Sequence, residues 1–366
     1  MKKIIYIVGP TGVGKTKLVH ALARFFNLPI ISMDSMQIYK SLNIGTAKPS
    51  DQEIKQYHYY GIDLIDPSSF YSTGDYLSYV HNLITFSEYR AFIVSGGTGL
   101  YYNALTDGFS TIPSRNSEIR KKLNEILEND GIDKLYERLF QIDKPYAEKI
   151  GKNDPQRLIR ALEVYELTGV PFSKYHLKRD IDPLSTETLK IGLYRERSKL
   201  YQMIDQRVDD MVKKGFFDEA KALYDKYGRI DNSAFKALGY NQIFDFFEGK
   251  LKDKSECIEN IKKQTRNYAK RQMTWFKRDQ SIHWFFMVEN LQSFVIAKKI
   301  DIDKIIATKK ELIENGSFDR IHDFIKMQKI KDPDVAALLS LKNIEITTEN
   351  TCSEYINKMI CDFLKM

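Results

Sequence analysis

The sequence predicts an α/β protein with a P-loop-type parallel sheet core flanked by helices, a mostly helical inserted domain and a helical C-terminal extension. Three observations carry this. The apolar run Ile4-Ile5-Tyr6-Ile7-Val8 passes through a glycine-rich loop directly into the helical pattern Lys17-Leu18-Val19-His20-Ala21-Leu22-Ala23. Two further buried-strand runs, Ile30-Ile31-Ser32-Met33 and Ala91-Phe92-Ile93-Val94-Ser95, alternate with helical segments, the pattern of a parallel sheet whose ligands bind at its carboxyl edge. A long helical stretch from Glu118 to Tyr175 then precedes another strand, Lys190-Ile191-Gly192-Leu193-Tyr194, so a helical domain interrupts one core sheet.

The first loop, Gly9-Pro10-Thr11-Gly12-Val13-Gly14-Lys15-Thr16, is a P-loop in its proper context between strand and helix. Its glycines let successive backbone N–H groups converge on phosphate oxygens, and the helix starting there directs the positive end of its dipole at them. Lys15 adds a positive charge, and Thr16 offers a hydroxyl to Mg²⁺, the expected cofactor of a bound polyphosphate. The loop reads phosphate and not base.

Asp34 ends the second strand, at the edge where the P-loop opens, and admits two functional readings: a Mg²⁺ ligand or a base taking a proton from a nucleophile. A helix N-cap is the plain alternative. Gly96-Gly97-Thr98-Gly99-Leu100-Tyr101 ends another strand and reads as a second wall of the same site or as an ordinary tight turn.

Inside the insertion, Asp154-Pro155 opens a helix as N-cap and first-turn proline. Arg157 and Arg160 share a face of it, where spacing alone favours ion pairs with Glu163 and other carboxylates over phosphate contacts. The insertion is bounded by Pro113 and the turn-rich Asp180-Ile181-Asp182-Pro183, giving a core over 1–113 and 184–284, an insertion over 114–183 and an extension over 285–366.

Arg195, Arg197 and Arg207, around Tyr201, either complete an anion site or decorate a helix surface. From Ser198 to Gln280 the periodicity is helical, punctuated by Gly215, Gly228 and Gly239. The run from Lys262 to Arg278 mixes cations with Tyr268, Trp275 and Phe276, a composition that suits RNA phosphate and base stacking or a solvated helix face. Beyond Trp284, Lys304-Asn315 and Phe318-Lys329 have the pattern of short amphipathic helices.

With 366 residues, 43% hydrophobic and 29% charged, the chain suits a soluble protein of more than one domain. No apolar run approaches the roughly 20 residues that span a bilayer. Met1-Lys2-Lys3 imitates a signal peptide, but the apolar stretch after it runs into the P-loop and reads as a first strand. Cys257, Cys352 and Cys361 have no CxxC spacing, and the six histidines no metal-ligand spacing, which fits a reducing cytoplasm. The net charge of +7 is moderate and by itself a solubility feature.

Taken in order, Gly9 to Thr16, Asp34-Ser35-Met36-Gln37-Ile38-Tyr39, Gly45-Thr46-Ala47-Lys48-Pro49 and Gly96 to Tyr101 resemble the tRNA dimethylallyltransferases. The likeness continues through residues 153–165, 168–173, 237–240 and the Tyr-Ala-Lys-Arg-Gln-Met-Thr-Trp-Phe of 268–276, covering about Met1 to Trp284. The resemblance implies transfer of a dimethylallyl group from dimethylallyl diphosphate to N6 of adenosine 37 in tRNAs reading codons that start with U. It makes Asp34 the general base, Lys15 and Thr98 partners of the leaving diphosphate, and Thr16 the metal ligand. Ser35, Met36 and Gln37 would contact a flipped-out adenine. Arg120 and the segment Gln156, Arg157, Leu158, Ile159 and Arg160 match tRNA-contacting positions, and the insertion corresponds to a helical domain that grips the anticodon stem-loop. A monomer acting on tRNA, with no membrane, is expected.

The sequence departs from the family pattern at Tyr59-Tyr60, where members commonly carry His-His, and lacks the zinc finger of eukaryotic relatives. Chemically the transfer is consistent: an exocyclic adenine nitrogen is a weak nucleophile, so a carboxylate accepting its proton helps, and the target base must leave its stack. The competing readings are a P-loop NTPase or nucleotide kinase, an adenylate isopentenyltransferase acting on free AMP or ADP, and an RNA-binding protein without activity. The strand before Gly96-Gly97 lacks the acidic residue of a Walker B segment, the large insertion exceeds what a free nucleotide needs, and Lys15, Thr16, Asp34 and Thr98 are intact.

Overall fold

The computed structural model describes residues 1–110, 112–113, 115–175, 183, 186–289, 302–314, 325 and 332–365. The expected helix Phe318-Lys329, apart from Ile325, and the turn at Asp180-Ile181-Asp182 lie outside the described residues. The chain divides into two compact units, Met1–Tyr102 with Thr186–Met366, and Asn103–Ser185.

The larger unit holds a seven-stranded sheet built from β1 (Lys3–Val8), β2 (Ile30–Met33), β3 (Tyr59–Tyr60), β4 (Ala91–Gly96), β5 (Glu187–Arg195), β6 (His283–Met287) and β7 (Asn343–Thr347). Its order is β3-β2-β4-β1-β5-β6-β7, and every pairing is parallel. Ile4 to Val8 are wholly buried, as a strand covered on both faces must be, which is why it reads as an unbroken apolar run. Register sets Val8 opposite Gly96 and Gly192, and Met33 opposite Gly96. The ends of β1, β2 and β4 therefore share one edge, where their loops converge.

Helices α1 (Lys15–Phe26), α2 (Asp51–Gln56), α3 (Thr73–Phe86) and α4 (Gly99–Asp107) follow in the first half. Ser50 with Glu53, and Ser72 with Asp75, form capping boxes that fix where α2 and α3 begin. Leu18, Val19, Leu22 and Phe26 of α1 pack in one core with Ile5, Ile7 and Ile93.

The smaller unit is helical: α5 (Ser117–Asp130), α6 (Ile132–Ile142), α7 (Lys144–Ile150), α8 (Pro155–Thr168) and α9 (Phe172–Tyr175). Its core gathers Leu123, Leu135, Leu139, Ala147, Leu158, Leu162 and Phe172. Within that core Glu163 is fully buried. Its carboxylate accepts from Arg120 Nε at 2.9 Å, Arg160 at 2.7 Å and the Asn116 N–H at 2.7 Å. Burial pushes this carboxyl up, but the hydrogen bonds from Arg120, Arg160 and Asn116 outweigh it and hold the group below its ordinary range.

Helices α10 (Arg197–Lys213), α11 (Phe216–Tyr227), α12 (Tyr240–Phe247) and α13 (Lys254–Phe276) return to the larger unit. The stretch beyond Trp284, where only helices are expected from the sequence, also supplies most of β6 and all of β7, beside helices Ile302–Glu314, Pro333–Ser340 and Glu349–Leu364. His283-Trp284-Phe285-Phe286-Met287 is a short aromatic-rich run with no helical period, so its strand character lies in its composition rather than in a repeat. The last helix buries Cys352, Ile356 and Ile360 in the same core as α1, so this segment completes the sheet's packing.

Candidate active site

The loop after β1 is shaped by its glycines. Gly9 adopts φ 144°, and a Cβ there would lie 2.6 Å from the Leu193 carbonyl oxygen, so the close approach of β5 requires glycine. Gly14, at φ 104°, caps α1 with no side-chain cap, which leaves the first-turn N–H groups available to an anion. Lys15 Nζ donates to the carbonyls of Gly9 at 2.7 Å and Pro10 at 2.8 Å. Burial, then the Arg207 guanidinium, push its pKa down to about 7, against a smaller upward pull from Asp34.

Asp34 sits just past β2. Its Oδ1 accepts from the Met36 N–H at 2.8 Å and the Gln37 N–H at 3.4 Å, so it closes a turn over residues 35–38, where no helix starts, and this occupies one oxygen. Oδ2 has no hydrogen bond among the described residues. Thr98 ties the next loop to this turn: its N–H donates to the Met33 carbonyl at 3.2 Å, and its Oγ1 accepts from the Ser35 N–H at 3.0 Å. Gln37 is held by Ser32 Oγ at 2.9 Å and by the Thr46 carbonyl at 3.2 Å.

Two adjoining cavities, each about 320 Å³, share Thr11, Asp34, Thr46, Arg207 and Tyr268 in their walls. The first, the more polar of the two, is bounded by Lys15, Thr16, Gly97 and Gln272, with Tyr59 also in its wall. The second is largely apolar, lined by Met36, Val208, Met211, Phe216, Leu238 and Ile261. Asp34 thus stands where a phosphate-binding volume meets an apolar one. Burial pushes the Arg207 guanidinium below its ordinary range, with Asp34 opposing. Burial pushes Tyr268 up, reinforced by the Asp34 charge.

Of the three arginines grouped by sequence, only Arg207 reaches these cavities. Arg195 is buried at the end of β5 against Met287, and the Arg197 N–H donates to Asp334 at 3.1 Å. In the helical unit, Arg120 and Arg160 are committed to Glu163, and the side chains of Leu158 and Ile159 lie in the core. Those four side chains help hold the unit's own core, while Arg120 and Arg160 keep 23% and 26% of their side-chain surface exposed. Gln156 and Arg157 remain exposed, with Arg157 beside Asp154 at 3.3 Å.

On α13 and just past its end the cations split into two sets. Lys262 pairs with Asp209 at 2.8 Å and Arg266 with Asp205 at 2.5 Å, which bind this helix to α10. Lys263, Lys270, Arg271 and Arg278 are exposed, Arg271 lying 5.7 Å from the Tyr268 ring centroid and Arg278 5.5 Å from that of Trp275. Among the described residues, no three His, Cys, Asp or Glu groups gather to hold a metal. Thr16 and Asp34, both facing the polar cavity, offer the one or two protein oxygens that suffice for Mg²⁺, which keeps several waters. No helix among the described residues is long and apolar enough to cross a membrane.

A parallel sheet, a P-loop with its anion cradle open and a carboxylate facing that cradle define an enzyme of the P-loop class. The chain belongs to the IPP transferase family, whose model matches residues 37–279. A model of the ATPase family associated with various cellular activities (AAA) matches residues 5–61, which include the P-loop. The chain is 43% identical over 304 residues to the tRNA dimethylallyltransferase of Syntrophomonas wolfei, covering 82% of this chain and 96% of that protein. It is 44% identical over 286 residues to that of Halothermothrix orenii, covering 77% and 87%. Among solved structures it resembles the full-length tRNA isopentenylpyrophosphate transferase of Bacillus halodurans, with 36% identity, a TM-score of 0.56 and coverage of 86% and 96%. It also resembles a eukaryotic dimethylallyltransferase acting on tRNA, with 29% identity, a TM-score of 0.65 and coverage of 87% and 85%.

Gln272 escaped the sequence reading, although the motif containing it was singled out. Its Oε1 accepts from the Thr11 N–H at 2.8 Å and its Nε2 donates to the Gly97 carbonyl at 3.0 Å. A lone glutamine within a helix carries no spacing signal for such a role.

Proposed function

We propose that this protein is a tRNA dimethylallyltransferase, moving a dimethylallyl group from dimethylallyl diphosphate to N6 of adenosine 37 in tRNAs that read codons starting with U. The observation that carries the reading is Asp34 at the junction of a polar P-loop cavity and an apolar one. The diphosphate occupies the polar cavity, on the amides of Gly12 to Thr16, with Lys15 turning from the Gly9 and Pro10 carbonyls toward it. The C1 carbon lies near Asp34, and the flipped adenine enters beside Ser35, Met36 and Gln37. N6 bonds to C1 while the C1–O bond to diphosphate breaks. The N6 proton passes to the free oxygen of Asp34. Charge leaving with the diphosphate is met by Lys15, Arg207 and the loop amides, and Thr98 holds the Ser35 turn in place. Thr16, together with waters, would hold Mg²⁺, which when bound would neutralise charge on the diphosphate.

The helical unit takes the anticodon stem-loop through exposed groups such as Gln156 and Arg157, and the exposed cations of α13 neutralise backbone phosphate. The enzyme acts as a monomer. Its cysteines form no disulfide, which suits the cytoplasm.

The test is incubation with Mg²⁺, dimethylallyl diphosphate and unmodified tRNA, in parallel with AMP and ATP, followed by mass spectrometry. A dimethylallyl mass gain on one anticodon-loop adenosine supports the proposal. A gain on AMP, or phosphate release from ATP alone, refutes it.

A further inference from the structure

We infer that Gln272 of α13 is a positioning residue for the transfer: its amide clamps the P-loop to the second glycine turn and so sets the spacing between the diphosphate cradle and Asp34 with Thr98. This rests on the diphosphate reading of the loop. Gln272 is only 5% exposed, and its two hydrogen bonds reach loops that follow neighbouring strands, Thr11 after β1 and Gly97 after β4. The orientation of the amide is fixed, because the reversed one would face donor to donor at Thr11 and acceptor to acceptor at Gly97. A Cβ at Gly97 would lie 1.9 Å from Nε2, so glycine at that position is what admits the amide.

Neighbours on the same helix act in concert. Tyr268, one turn earlier, shares the wall of the polar cavity with Gln272. Trp275 lies against Gly99, where a Cβ would come within 2.4 Å of its ring. Thr98 in turn holds the Ser35 N–H. The helix thus packs on the Gly97–Gly99 turn, which Thr98 ties to the Ser35 turn, and the amide of Gln272 joins that turn to the phosphate loop.

A buried glutamine that merely fills the core would affect stability alone. The clamp makes a different prediction. Wild type, Gln272→Glu and Gln272→Met are titrated with dimethylallyl diphosphate in Mg²⁺ at pH 8, and their steady-state transfer is measured. Both variants should bind the diphosphate about tenfold more weakly, the loss of one buried hydrogen bond, with KM for diphosphate rising in step and KM for tRNA unchanged. In Gln272→Glu a carboxylate oxygen opposes the Gly97 carbonyl. Protonation rebuilds a donor there, so lowering the pH toward 5.5 should restore its affinity relative to wild type, while Gln272→Met should show no recovery. Should Gln272→Met fail to fold, the pH-dependent ratio for Gln272→Glu decides. Unchanged diphosphate affinity in the variants, with only a reduced active fraction, overturns the clamp. Failure of wild type itself to bind the diphosphate overturns the reading of the loop, and the clamp with it.

Discussion

Lys15 provides a quantitative test of the phosphate cradle. Without ligand its Nζ rests on the Gly9 and Pro10 carbonyls, and burial with the nearby Arg207 charge lowers its pKa to about 7. A diphosphate bound to the same loop favours the charged amine and raises that pKa toward or above its ordinary value. Because the bound pKa exceeds the free one, binding must take up a proton between the two. At pH 8 only about one tenth of the free amine is protonated, so binding should take up about 0.9 proton, and at pH 6 only about 0.1. Affinity should correspondingly fall as pH rises above about 7, by up to about tenfold per unit.

Calorimetric titration with dimethylallyl diphosphate and Mg²⁺ in buffers of differing ionisation enthalpy measures the uptake directly. Lys15→Arg keeps a charge that does not titrate in this range, so subtracting its uptake removes the ligand's own ionisation. Equal proton uptake by wild type and Lys15→Arg at pH 8 would refute the reasoning.

Asp34→Asn should lower turnover by about 10²- to 10⁴-fold, the usual worth of a general base, while tRNA affinity measured by filter binding stays within about twofold. Glu163→Gln should leave Arg120 and Arg160 unbalanced against a buried neutral amide, costing about 3 kcal/mol. Hydrogen exchange should then quicken in α5 and α8 but not in β1 or β4, and unchanged protection in α5 and α8 would contradict a role for Glu163 in joining them. Neutralising the exposed Lys263, Lys270 and Arg278 to Gln should reduce the slope of log affinity for tRNA against log salt by about two to three, with diphosphate binding unaltered. An unchanged slope would exclude α13 and the residues just past it from the RNA surface.

What the sequence displayed was whatever local pattern encodes. Ile4 to Val8 running into Gly9 to Thr16 fixed a strand, a loop and a helix together, because periodicity and glycine spacing are properties of neighbours in the chain. The helical insertion was legible in the same way, and Asp154-Pro155 does open α8, with Asp154 accepting from the Arg157 N–H. The spacing of Arg160 and Glu163 also pointed to the ion pair that forms. β6 and β7 were hidden because membership of a parallel sheet depends on partners far along the chain, and five-residue runs carry too little pattern to announce it. Gln272 was invisible as a site residue for the same reason, and Arg207 could not be told apart from Arg195 and Arg197. Gln272 meets Thr11 and Gly97, and Arg207 faces Asp34, only once the sheet brings distant loops together. Asp34 shows that the readings need not exclude one another, since one oxygen caps a turn and the other remains for chemistry.

The most direct measurement of the whole account is a crystal structure with Mg²⁺ and a non-transferable thio analogue of dimethylallyl diphosphate. The diphosphate should lie on the amides of Gly12 to Thr16, with Lys15 Nζ rotated off the Gly9 and Pro10 carbonyls onto it and C1 beside Asp34 at the mouth of the apolar cavity. A diphosphate bound elsewhere, or C1 directed away from Asp34, would contradict it.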